Sequence, residues 1–112
     1  MVTEVNATHI INHLVQQFGV EQGEIEVMLP TFYKAILEYQ NDLVTSIEGG
    51  GMEKIARTAH KLKGALLNLG LFTCAEFALS IEKSAHLGDA DFNYEALADC
   101  LNTHLAGLRE KI

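Results

Sequence analysis

Residues 57–70 read RTAHKLKGALLNLG, and the groups able to do chemistry in this stretch are His60 and Lys63. A neutral imidazole has a nitrogen lone pair near neutral pH, so an exposed histidine can act as a nucleophile. A lysine three residues further on sits beside it on a helix, where its ammonium can pair with a phosphoryl group once one is attached. Gly64 costs about 1 kcal/mol relative to alanine inside a helix. In return it leaves open space beside the ring, through which a second protein can approach. Leu67 lies one turn further along and suits a docking surface. An H-x-x-K-G pattern alone is a weak signal, because most surface histidines near a lysine have no chemical task.

These residues need a helix to position them. At about 100° per residue, Ile55, Ala59, Leu62, Leu66 and Leu69 fall within about 80° of one another and form a core stripe. His60 lies about 140° from Ile55. His60, Lys63, Gly64 and Leu67 therefore share a strip that faces away from the core.

The rest of the chain reads as helix throughout, with apolar positions at helical spacing and no strand pattern. A first helix is expected over about 7–18, capped by Asn6 or Thr8, with Ile10, Ile11, Leu14, Val15 and Phe18 inward and Gly19 as its stop. A second runs over about 21–48, with a kink or restart at Pro30. The Gly49-Gly50-Gly51 run ends it. No strand precedes that run and no Gly-Lys-Ser/Thr follows, so it reads as a turn and not a phosphate loop. A third helix spans about 52–69 and stops at Gly70. A fourth covers about 71–86, with Leu71, Cys74, Ala78, Ile81 and Ala85 inward. A fifth covers about 92–110, capped by Asp91, with Leu97, Leu101, Leu105, Leu108 and Ile112 inward. Short loops join antiparallel neighbours. The expected fold is an all-α, antiparallel up-down four-helix bundle with a short N-terminal cap helix, forming a single domain over residues 1–112.

Composition narrows the function. The 112 residues are 48% apolar, enough for one core without a metal or disulfide to hold it. A formal charge of −7 argues against nucleic acid or an anionic membrane as partner. The N-terminus has no basic segment followed by an apolar run, so a cytoplasmic location is expected. Cys74 and Cys100 read as small buried hydrophobes, not as a disulfide or metal ligands. His9 and His13 are four residues apart, but HIINH lacks the glutamate of a zinc protease helix. No histidine has a glutamate three residues before it, so the di-iron pattern of helical bundles is absent too. No metal role is expected, and His9 and His13 read as surface residues.

The segment AHKLKGALLNLG resembles the signature of histidine-containing phosphotransfer (HPt) domains. It has Ala-His, a variable residue, Leu-Lys-Gly, two small residues in the usual pattern, and a Leu-Gly at 69–70. Downstream, Ile81-Glu82 stands where the family closes its next helix with Leu-Glu. The long helix, glycine-rich turn and third helix also fit, so the resemblance covers essentially the whole chain. It departs at Ala65 and Leu66, where small Ser or Ala residues are usual. Leu66 is the bulkier change, but it belongs to the core stripe.

The resemblance implies a phosphorelay shuttle of two-component signalling, a phosphocarrier rather than a stand-alone enzyme, with no kinase or ATP-binding motif. His60 would be the phosphoacceptor, Lys63 would stabilise the phosphoryl group, and Gly64 and Leu67 would form the receiver-docking surface. Glu82 is a candidate to orient the imidazole, directly or through water; otherwise it is a solvated carboxylate. The implied partners are receiver domains of a hybrid histidine kinase and of a response regulator, each bringing an aspartate and Mg²⁺. The chain itself needs no cofactor. A free-standing monomer is expected. The alternative is a helical adaptor that binds receivers without phosphotransfer.

Overall fold

The computed structural model describes the backbone of residues 7–89 and 93–109, and the side chains of residues 10–89 and 93–106. Among these there are helices α1 (Ala7–Phe18), α2 (Gln22–Gly49), α3 (Met52–Asn68), α4 (Phe72–His86) and α5 (Tyr94–Arg109), and no strand. Each lies within two residues of its sequence-predicted span. Thr8 does not cap α1, because the helix already begins at Ala7. The caps expected at Asn6 and Asp91, the inward positions Leu108 and Ile112, and the surface reading of His9 lie outside the described residues.

Pro30 does not restart α2, which runs unbroken from Gln22 to Gly49. Ile25 and Leu29 before the proline, and Ile36 and Leu43 after it, are all buried. One apolar face thus continues through the lost ladder bond, and tertiary burial carries the helix across a residue that propensity alone disfavours.

The core is one cluster of aliphatic side chains. The stripe Ile55, Ala59, Leu62, Leu66 and Leu69 is buried as the periodicity predicts, and faces Leu71, Cys74, Ala78 and Ile81 at the other side of the α3–α4 contact. α3 packs most extensively on α4 and then on α2; α5 closes against α4 and α2, and α1 lies on α2 and α5. Each fully buried Leu or Ile contributes about 1.5–3 kcal/mol relative to exposure. Gln40 Nε2 also donates a 3.0 Å hydrogen bond to the Tyr94 hydroxyl, tying α2 to the start of α5.

Three sequence readings need correction. Phe18 is half exposed instead of inward, because it is the last residue of α1 and overhangs the core. His13 is not a surface residue. Its ring packs against Gly70 and meets Phe72 edge-on with centroids 5.7 Å apart. Cys74 is fully buried as expected, but it is joined to Cys100 by a disulfide. The two lie 26 residues apart on different helices, and α4–α5 packing brings their Cα atoms to 5.7 Å, within bridging reach.

Candidate functional site

The site depends on how α3 turns into α4. The Gly70 N–H donates to Leu67 O at 3.0 Å and the Leu71 N–H to Leu66 O at 2.9 Å. This is a Schellman motif, with the accompanying hydrophobic contact supplied by buried Leu66 and Leu71. It requires a left-handed residue, and Gly70 has φ +76°. A Cβ there would also come within 2.7 Å of the His13 ring, so glycine is needed for conformation and for space. The turn is so short that α4 folds back along α3, and the middle of one helix faces the middle of the other.

That register brings Glu82 of α4 to His60 and Lys63 of α3. His60 Nδ1 lies 3.0 Å from Glu82 Oε2, and Lys63 Nζ donates to Glu82 Oε1 at 3.0 Å. The Glu82 side chain is only 14% exposed, and that of Lys63 21%. Burial alone would raise the carboxyl's pKa. The hydrogen bond and charge of Lys63, followed by His60, outweigh that and hold it below the usual carboxylate value.

An ionised carboxylate can only accept hydrogen bonds, so His60 Nδ1 must be the donor. In the neutral ring the lone pair then resides on Nε2. The His60 side chain is 63% exposed, so this nitrogen is accessible. One nitrogen is held, and the other carries an accessible lone pair.

The outward strip is only partly as the helical wheel predicts. His60 and Leu67 are exposed, whereas Gly64 and Lys63, the latter bonded to Glu82 of α4, are half-buried. Nothing lies within 4 Å of a Cβ built on Gly64. Beside Leu67, exposed Phe72 helps to line a shallow groove of about 180 Å³ with Lys63, Ala75 and Leu79. On the opposite side of His60 is a larger groove of about 510 Å³, bordered by Arg57, Glu82 and His86.

His86, Arg57 and Phe72 did not emerge from sequence reasoning. His86 Nε2 lies 3.8 Å from Glu82 Oε2. Its four-residue spacing from Glu82 was a readable signal, as was Arg57 at three residues before His60. Away from this site, Cys74, Cys100 and His104 bring potential metal-ligand atoms within 4.8 Å of one another, but both sulfurs belong to the disulfide and offer no thiolate.

No curated protein and no solved structure shows a significant match to this chain. The family model for the Hpt domain matches residues 27–111, which includes nearly all of α2 and the whole of α3, α4 and α5. With that match over most of its length, and an exposed histidine held on its third helix, the chain belongs to the Hpt domain family.

Proposed function

We propose that the protein is a phosphorelay shuttle in which His60 accepts a phosphoryl group from an aspartyl phosphate of one receiver domain and passes it to an aspartate of another. The observation that carries this reading is the Glu82 bond to His60 Nδ1, which leaves Nε2 as the exposed nucleophile. In the forward step the Nε2 lone pair forms the N–P bond. The P–O bond to the receiver aspartate breaks and that carboxylate leaves with the electron pair. Onward transfer reverses these events on a second receiver. Mg²⁺ comes with the receiver, and this chain contributes mainly positioning and charge.

Glu82 orients the ring and balances the positive charge that develops on it. Lys63 anchors Glu82 in the resting protein. Its ammonium has three donors, so it can also reach a phosphoryl oxygen. Gly64 keeps the approach open, while Leu67 and Phe72 form the apolar part of the receiver-docking surface. We further infer that α2–α5 form an antiparallel four-helix bundle with α1 as its cap, that the chain acts as a single monomeric domain, and that it works in the cytoplasm beside its receivers. No described helix is long and apolar enough to cross a membrane.

The test is transfer of radiolabel from a phosphorylated receiver to wild type and to His60→Gln. Wild type is expected to take acid-labile label, and the variant to fold normally and take none. Label retained by the variant overturns the assignment. Receiver binding without any label on wild type indicates the adaptor instead.

A further inference from the structure

The cations around His60 fall on two sides. Lys63 lies towards the Leu67 groove, with its ammonium already bonded to Glu82. The larger groove on the other side is bordered by Arg57 from α3 and His86 from α4. Its floor is kept low by Ala56 and Ala85, and Glu53 stands at its rim. His86 sits one turn past Glu82 and is 67% exposed. Its 3.8 Å separation from Oε2 is too long for a hydrogen bond, so its ring is held only loosely.

A phosphoryl group brings up to about two negative charges. On His60 it would sit beside the carboxylates of Glu82 and Glu53, and the single charge of Lys63 is shared with Glu82. Uncompensated, that placement is repulsive. Among the described residues, Arg57 and His86 are the cationic side chains bordering the larger groove. We propose that Arg57 and His86 bind the phosphoryl group carried on His60, with His86 turning from Glu82 to a phosphoryl oxygen. Arg57 supplies a permanent charge. His86 supplies a ring N–H that can donate to a phosphoryl oxygen. The groups facing His86 are Glu53, Arg57 and His60 on α3 and Glu82 on its own helix. This inference rests on the phosphotransfer reading of His60, and it adds a phosphoryl-binding site on the side of the ring away from Lys63.

The experiment needs no receiver. Phosphoramidate is the donor: its P–N bond breaks, ammonia leaves, and a new P–N bond forms at Nε2. Rates of His60 phosphorylation are followed by mass spectrometry at pH 6 for wild type, Arg57→Gln, His86→Gln, His86→Lys and the Arg57→Gln/His86→Gln double variant. Each Gln variant is expected to lower the second-order rate about two- to fivefold at pH 6, the size of one partly exposed charge interaction. His86→Lys, which keeps a donor and a positive charge at that position, should hold the rate near that of wild type. In parallel, inorganic phosphate is titrated into the unphosphorylated proteins by NMR. Shifts are expected at Arg57, His60 and His86, and should disappear in the Arg57→Gln/His86→Gln double variant. Equal phosphorylation rates and equal phosphate shifts in wild type and double variant overturn this inference and leave the phosphotransfer reading intact. Phosphate shifts that depend on both residues, with His60 refusing label from phosphoramidate and receiver alike, support the anion site and overturn the phosphotransfer reading.

Discussion

Replacing Glu82 with alanine removes one carboxylate and two 3.0 Å contacts, to His60 Nδ1 and to Lys63 Nζ. The structural cost is small. Lys63 is 21% exposed and can turn its ammonium to water, and His60 is more exposed still. A partly exposed pair of this kind contributes up to about 1 kcal/mol, so the melting temperature should move by a few degrees at most. The chemical cost is larger. The ring loses the acceptor that fixes its tautomer and its direction, so Nε2 no longer meets the phosphorus in line. A misplacement of about 1 Å can cost on the order of 100-fold in rate. Glu82→Ala is therefore expected to slow transfer from a phospho-receiver about 10- to 100-fold. Glu82→Gln should fall between it and wild type, since an amide oxygen can still accept from Nδ1–H but carries no charge. The pH dependence has a definite sign. The carboxyl's pKa is lowered in the fold, so its contribution is complete above its ordinary value of 4.5 and is lost as pH falls through the lowered value. The stability gap between wild type and Glu82→Ala should therefore close on acidification below pH 4.5. The assay pairs transfer kinetics with melting on the same samples. Transfer within twofold of wild type, or a large loss of stability with normal transfer, would show that Glu82 does not orient the nucleophile.

Gly64→Ala should raise stability by about 0.5–1 kcal/mol, because the added methyl meets nothing within 4 Å and alanine is the better helix former. Gly64→Gln should also fold but transfer far more slowly, and a normal rate in that variant would end the clearance argument. Gly70→Ala is expected to destabilise by at least about 1–2 kcal/mol, from its φ of +76° plus the clash with His13; an unchanged denaturant midpoint would contradict this. Reduction of the Cys74–Cys100 bridge, which closes a 26-residue separation, should lower stability by about 3 kcal/mol. Melting curves with and without a phosphine reductant test this, and coincident curves would show that the bridge does not constrain the unfolded chain.

Local periodicity determined a good deal of this protein without any coordinates. A helix repeats every 3.6 residues whatever it packs against, so the stripe Ile55, Ala59, Leu62, Leu66 and Leu69 had to be inward and His60 outward. Gly50 and Gly70 mark the helix ends for an equally local reason, since both adopt the left-handed conformation that glycine tolerates best. Together with AHKLKG, these features made the family and the candidate histidine legible. Three other features are properties of register between helices, and no window of sequence contains them. Glu82 lies 22 residues from His60, and only the turn at Gly70 determines that its carboxylate reaches Nδ1 and Lys63 at once. The family resemblance offered Glu82 as a candidate to orient the imidazole, but periodicity placed it only beside an apolar stripe and could not say which residue of α3 it faced. Cys74 and Cys100 each looked like an ordinary small hydrophobe within its own helix, although Cys100 is only partly buried; their bridge exists because α4 and α5 pack at that height. His13 followed its own helix to a surface position, yet α1 lies where Gly70 leaves a gap, and the ring fills it. Helical phase is decided within a few residues of chain, whereas contacts across helices are decided by how whole faces fit together, which only the folded structure specifies.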